Sequence, residues 1–287
     1  MSNEAAMVEQ SDERDALRER LAGMWAGVAG GWARNADYAD ARGGQSAERM
    51  LELAQVGAGD RVLELACGPG GLGLAAAERV GPGGEVVLTD VAVQMTAIAA
   101  ARGAALGLGN VAFRTLDLER IDEPDASYDV VLCREGLMFA VNPAEAAREI
   151  RRVLRPGGRF AVAVWGPRER NPWLGVVFDA VAAELARPVP PPGIPGPFSL
   201  SDAGRLSELL GGAPVEEDSE PLRAASFEEW WSRTTALAGP LTSILAGLPD
   251  ESKVSLEARV RDAAAAYGTA DGFEFPGLSL LAYARRS

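Results

Sequence analysis

Histidine is absent from the 287 residues, and lysine occurs once, as Lys253. The first absence excludes a His base, a Ser-His-Asp triad and a His-liganded metal. The second leaves Schiff-base chemistry one candidate, in a stretch (PDESKVSLEAR) that reads as an exposed helix start. Cysteine is scarce too. Cys67 and Cys133 cannot form a Cys-rich zinc site, and in a cytosolic chain they imply no structural disulfide, so no metal is expected. No apolar run approaches the ~20 residues of a membrane span. The leading MSNEAAMVEQSDERDALRER is charged and acidic, unlike a signal or transit peptide. The expectation is a cytoplasmic protein without membrane insertion. Positive charge is in short supply as well, the formal net charge being −13. Nucleic-acid binding draws most of its affinity from cations, so no nucleic-acid partner is expected. What chemistry remains falls to carboxylates, backbone amides, aromatic rings or a reactive cofactor.

What is present is an alternation of β and α signals. RVLELAC, EVVLTD, VAFRTLDL, YDVVLCR and RFAVAVW read as strands; GLGLAAAERV, VQMTAIAAARGAALG and AEAAREIRRVL read as helices. That order predicts an α/β fold, a Rossmann-like, mostly parallel sheet with helices on both faces. Residues 1–45 form a helical cap. A helix over 46–55 has Ser46 as its expected N-cap and Met50, Leu51 and Leu53 as apolar members. The core runs over 46–166, and 167–287 completes the sheet. In that last part a helix near Trp173–Leu185 leads into RPVPPPGIPGPFSL, which must be loop because proline fixes φ and lacks an N–H donor. A short helix over Ser201–Leu210 and a strand near Pro214–Glu217 follow. A helical insertion at about 222–270, centred on Phe227–Tyr267, is expected before a last strand over Leu278–Ala284, roofing a substrate pocket.

The loop after the first strand, Glu64-Leu-Ala66-Cys-Gly68-Pro-Gly70-Gly71-Leu-Gly73, packs four glycines into six residues. Such a loop lets backbone approach a ligand, and the helix that follows presents free N–H groups. Gly68, Gly70 and Gly73 also satisfy the dinucleotide fingerprint. Glu64 separates the two cofactors. A pyrophosphate would meet that carboxylate unfavourably, whereas S-adenosylmethionine carries a sulfonium and an ammonium that suit it. Asp90, 22 residues after Gly68 at the next strand end, can accept both ribose hydroxyls. Val91 and Met95 just beyond offer apolar faces to adenine, with helix core as the simpler reading of Met95. Asp117 can accept the adenine amine while the Leu118 N–H reaches a ring nitrogen; a turn or cap role is its plainer alternative.

These segments together resemble the class I S-adenosylmethionine-dependent methyltransferases. VLELACGPGG resembles their first motif, Thr89-Asp90 their second-strand acid, and LDLE their third-strand site. YDVVLCREGLMF resembles the fourth strand and the start of the substrate pocket, and EIRRVLRPGGRFAVAVWGP the helix–turn–strand that follows. The ubiquinone/menaquinone-type (UbiE-like) small-molecule enzymes are the most similar. The likeness implies a seven-stranded sheet whose last strand is antiparallel. It assigns Glu64, Gly68 and Gly70 to the methionine part, Asp90 to ribose, and Asp117 with Leu118 to adenine, with Ala66 a further cofactor contact. The Cys133 carbonyl is assigned to the ammonium group. S-adenosylhomocysteine would be the product.

The acceptor is expected to be a small molecule, quinone-like or a secondary metabolite, methylated on O, C or N. Trp32, Tyr38, Arg134, Glu135, Met138 and Phe139 are candidates to line its pocket. Glu135 is the candidate general base, against the plainer reading of a Glu paired with Arg134 or solvated. Trp165, Trp173, Trp230 and Trp231 are further candidates, for which core packing is the simpler role. Two alternatives stand at this stage: an NAD(P)-dependent oxidoreductase, or a methyltransferase fold kept as a binding module. A homodimer through the insertion is compatible with the sequence.

Overall fold

The computed structural model describes residues 3–191 and 193–287, with side chains of the first helix from Asp12 onward. Met1 and Ser2 of the expected cap, and Pro192 of the proline-rich loop, lie outside the described residues. Three helices open the chain: α1 (Asn3–Arg34), α2 (Ala36–Arg42) and α3 (Gly44–Leu53). Then come β1 (Arg61–Leu65), α4 (Gly71–Val80), β2 (Glu85–Asp90), α5 (Val93–Ala105), β3 (Val111–Thr115), β4 (Tyr128–Arg134), α6 (Pro143–Val153) and β5 (Leu154–Trp165). The remainder comprises α7 (Pro172–Leu185), α8 (Ala203–Leu209), β6 (Val215–Ser219), β7 (Leu222–Ala224), α9 (Phe227–Leu237), α10 (Gly239–Ala246), α11 (Asp250–Ala264), β8 (Gly268–Thr269), β9 (Gly272–Phe275) and β10 (Leu278–Arg285).

Seven strands form one sheet in the order β3-β2-β1-β4-β5-β10-β6, and β10 runs antiparallel to both β5 and β6. The first five strands are parallel; helices cross over after β1, β2 and β4, and a helix-free loop carries the chain from β3 to β4. The chain steps from β1 to β2 and β3 and resumes as β4 on the other side of β1, so the switch point where open α/β sheets bind ligands lies between β1 and β4. Strand alternation fixes what each face presents. Leu63 and Leu65 enter the core shared with α6 and α8, while Val62 enters the one built by α3, α4 and α5. Leu63 is fully buried, and Leu63→Ala would cost about 2–5 kcal/mol. A third core, around Trp173, Phe178, Trp230 and Phe275, joins α7 to α9–α11.

Three expectations need correction. Ser46 lies inside α3 rather than capping it, and its N–H donates to the buried Glu220 carboxylate at 2.8 Å. Helix α1 runs unbroken through Gly30 and Gly31 to Arg34. Gly31 is there for packing, since a Cβ on it would lie 2.2 Å from the Ala236 carbonyl oxygen on α9. The LRPGG turn is already strand: β5 begins at Leu154, as Pro156 disfavours helix at Arg155 and Gly157 takes φ +76°. The insertion is not wholly helical either. A three-stranded sheet, β7-β9-β8, braces it, with strands of two to four residues that give too little alternation to read.

Candidate active site

A cavity of about 1660 Å³, open space at its mouth included, lies over the carboxyl ends of β1, β2, β3 and β4. Its lining runs from the strand ends of the sheet to α7 and α9. Helix α1 roofs it with Trp25 and Trp32, and α9 and α10 close its far side. The roof is held by the Trp32 indole N–H, which donates to the Leu237 carbonyl at 3.1 Å.

Of the expected cofactor contacts, Glu64, Ala66, Gly68, Asp90, Val91, Met95, Asp117 and Leu118 line this cavity. Gly70 and Cys133 stand back from it. Gly70 takes φ +91° before α4, and a Cβ there would strike Ala99 at 2.9 Å, so it serves the turn and its packing. Cys133 is fully buried, held in the ladder opposite Leu65 and Val162. Met95 serves both readings, packing with Val28 and Ala29 of α1 while facing the cavity.

Glu64 is 2% exposed, and its Oε2 is buried without a hydrogen-bond partner among the described residues. Only glycine leaves room for it at position 73, where a Cβ would lie 2.2 Å from Oε2. Burial pushes the Glu64 carboxyl up to about 8, against the opposing charge of Arg134. A desolvated carboxyl at a cavity wall is the wrong lining for a pyrophosphate and a fitting one for a cation. Asp90 accepts N–H bonds from Gly68 at 3.0 Å and Ala92 at 2.9 Å, which anchor the loop; burial still raises its pKa. Each oxygen retains a lone pair for a hydroxyl donor. Asp117 accepts from the Glu119 N–H at 2.9 Å and sits 3.4 Å from the Arg18 Nε. Arg18 also pairs with the buried Glu119. The N-terminal half of α1 is thereby fastened over the third-strand acid.

The expected acceptor residues Trp32, Tyr38, Arg134, Glu135, Met138 and Phe139 all reach the same cavity. Phe139 meets Trp25 edge-on at 4.9 Å. Arg134 does not pair with Glu135. Its guanidinium donates to the Gly43 carbonyl at 2.8 Å, and Glu135 instead holds Arg42 through both oxygens, at 3.3 and 3.4 Å. Glu135 has φ +57°, unusual for a side-chain-bearing residue, which directs it away from its neighbour. Trp165 and Trp173 line the far chamber, edge to face at 4.8 Å, whereas Trp230 and Trp231 pack within the insertion. Among the described residues no cluster of His, Cys, Asp or Glu is placed to hold a metal.

Sequence reasoning missed Arg18, Arg42, Arg233 and Asn171. Arg42 had a signal, since it follows Tyr38 by one helical turn and shares its face. Asn171 had none that could be read. It is 1% exposed and ties the Trp173 indole to the start of β10 by accepting from Trp173 Nε1 at 3.1 Å and Leu278 N at 3.0 Å.

Residues 57–175 match the family model of a methyltransferase domain. The ubiquinone/menaquinone biosynthesis C-methyltransferase UbiE of Ectopseudomonas mendocina is 34% identical over 186 residues, 64% of this chain and 70% of the relative. Nocamycin O-methyltransferase of Saccharothrix syringae is 36% identical over 194 residues, 64% of each chain. Among solved structures, a methyltransferase from Bacillus halodurans superposes with a TM-score of 0.59 at 19% identity, covering 84% of this chain and 99% of that one. The [4+2]-cyclase SpnF does so at 0.52 and 24%, covering 84% and 80%. At those identities the structural likeness speaks to fold alone; the sequence relatives carry the family. The chain belongs to the class I S-adenosylmethionine-dependent methyltransferases, among the UbiE-like enzymes that act on small molecules.

Proposed function

We propose that the cavity divides into a donor end at β1–β3 and an acceptor end beneath α2, α7 and α9, with methyl transfer at their junction. The supporting observation is the partnerless Glu64 carboxylate oxygen, buried at the wall where a cationic donor would lie. When bound, S-adenosylmethionine supplies a methyl carbon already activated by its sulfonium. The protein's own task is to orient the two ligands and keep water out. Glu64 faces the cationic end, Asp90 accepts the ribose hydroxyls, and Asp117 with the Leu118 N–H reads adenine between Val91 and Met95. Ala66 and Gly68 bring backbone close to the methionine part. Trp32, Tyr38, Arg134, Met138 and Phe139 bound the acceptor.

Glu135 is the residue placed to take a proton from an acceptor, with Arg42 holding it in position. In this reading residues 1–45 and the insertion at about 222–270 serve as the two walls of the acceptor end, and the core over 46–166 as the donor platform. The net charge of −13 supports a partner that is not a nucleic acid. A screen for S-adenosylhomocysteine formation over hydroxylated, carbon-nucleophilic and amine acceptors tests the reading. Turnover with one class identifies the methylated atom, and S-adenosylmethionine failing to bind by calorimetry would refute the donor site.

A further inference from the structure

Helix α2 carries one wall of the acceptor end, yet little in its own sequence holds it in place. At seven residues it is shorter than an isolated helix needs to persist in water. The Asn35 side chain does not cap it, and Gly43 has none to offer. Its helical state therefore rests on what it touches. Tyr38, Ala39 and Arg42 face the cavity. Asp37 and Asp40, three residues apart, lie along another side, towards α4 and α5.

On that side a guanidinium joins α2 to the donor end. Arg102 of α5 pairs with Asp40 Oδ2 through one nitrogen and donates through another to the Pro69 carbonyl at 2.8 Å. Pro69 belongs to the glycine loop and lines the cavity beside Gly68. Asp37 stands 3.8 Å from the same guanidinium but is fully exposed, so Asp40 makes the effective pair. The second Asp40 oxygen, Oδ1, is buried against the first turn of α4, where free N–H groups favour a carboxylate. Position 71 must be glycine for it to fit, because a Cβ there would overlap Oδ1. A second bridge leaves the other end of α2: Arg134 donates to the Gly43 carbonyl at 2.8 Å while its charge faces Glu64.

Resting on the donor and acceptor ends proposed above, we infer that Asp40 and Arg102 are positioning residues that couple the two ends. A donor lying against the glycine loop fixes the Pro69 carbonyl, and through Arg102 and Asp40 it fixes α2 and the wall that α2 carries. Ordering the loop and ordering α2 each cost entropy; once a ligand has immobilised the first, docking the second costs less. The effect is reciprocal, so whatever steadies α2 also tightens the donor. Neither Asp40 nor Arg102 lines the cavity, so neither acts by touching a ligand. The acceptor wall is then fully formed only with the donor in place.

Hydrogen–deuterium exchange on the full chain, with and without saturating S-adenosylhomocysteine, reads the coupling at the α2 amides. In the wild type their exchange should slow at least about tenfold when the ligand binds, with α6, which does not reach the cavity, unchanged. In Asp40→Asn that slowing should fall below about threefold, and S-adenosylhomocysteine affinity should drop about three- to tenfold. A role confined to holding α2 in place would speed its exchange equally in the free and loaded proteins, leaving their ratio as in the wild type. Arg102→Met should match Asp40→Asn, and the double variant should be no worse than either alone. Gly71→Ala displaces Oδ1 without altering a charge and should give the same loss; it replaces Asp40→Asn should that variant fail to fold. The inference is overturned if the slowing survives in Asp40→Asn or Gly71→Ala, or if the two single losses add. Failure of the wild-type protein to bind S-adenosylhomocysteine would remove the donor site and this inference with it. Binding that leaves α2 exchange unchanged overturns this inference alone.

Discussion

The two ends of the cavity are built by different means. At the donor end, Glu64, Asp90 and Asp117 sit at or just beyond the ends of three adjacent parallel strands, whose ladder sets their spacing. Their positions follow from local chain and register. At the acceptor end, Trp32, Tyr38, Arg42, Trp173 and Arg233 come from four helices, joined by contacts such as Trp32 to Leu237 across 205 residues. Backbone ladders are stiff and tolerate sequence change on their exposed sides. Helix-on-helix walls depend on each side chain that meets across the gap. One framework can therefore keep a constant cofactor while its helical wall is reshaped for another acceptor.

The comparison breaks most sharply at Asp90. Asp90→Ala removes the anchor of the Gly68 and Ala92 N–H groups and, on the proposed donor site, the acceptor of two ribose hydroxyls. At about 1.5–3 kcal/mol for each bond to a charged group, S-adenosylhomocysteine affinity should fall at least about 100-fold by calorimetry. Glu64→Gln comes next, and its two effects have opposite signs. The folded-state value of about 8 lies above the ordinary 4.5, so the folded protein holds the extra proton between those values. Stability of the free protein should therefore decline as pH rises from about 5 to 8, because deprotonation becomes costlier in the folded state. Glu64→Gln should flatten that decline and raise Tm at pH 8 by at least about 3 °C, while weakening S-adenosylmethionine binding. Differential scanning calorimetry across pH reads the first effect and titration the second.

Two smaller changes probe the helical wall. Gly31→Ala places a methyl 2.2 Å from the Ala236 oxygen, so α1 and α9 must part. A stability loss of about 1–3 kcal/mol in urea is expected, with KM for acceptor rising more than S-adenosylhomocysteine Kd. Trp32→Phe keeps an aromatic ring but loses the bond to Leu237 and part of the indole's packing, at about 1–2 kcal/mol. Donor affinity should hold within about twofold.

The same contrast explains how much could be read in advance. The strands of the parallel core, the loop at 64–73 and the acids at three strand ends follow from alternation, glycine content and short-range spacing. Their neighbours in space are also near in sequence, or fixed by the ladder. The glycines of the loop were legible as a group but not one by one. Gly73 makes room for Glu64, whereas Gly70 turns the chain and never reaches the cavity. Arg42 as the partner of Glu135, Gly31 as a seat for α9 and Asn171 as the clasp on Trp173 were not legible. Each acquires its role from an element far along the chain, and nothing local to it marks the distant partner. The β7-β9-β8 sheet escaped notice because its strands are shorter than the alternation needed to see them.

The central claim is that a buried carboxyl at the donor end becomes charged to receive a cation. Calorimetric titration of S-adenosylmethionine at pH 7, repeated in buffers of different ionisation enthalpy, counts the protons released on binding. With Glu64 near 8 in the free protein, the wild type should release close to one more proton than Glu64→Gln. Equal proton release from the two proteins, with equal affinity, would contradict the account.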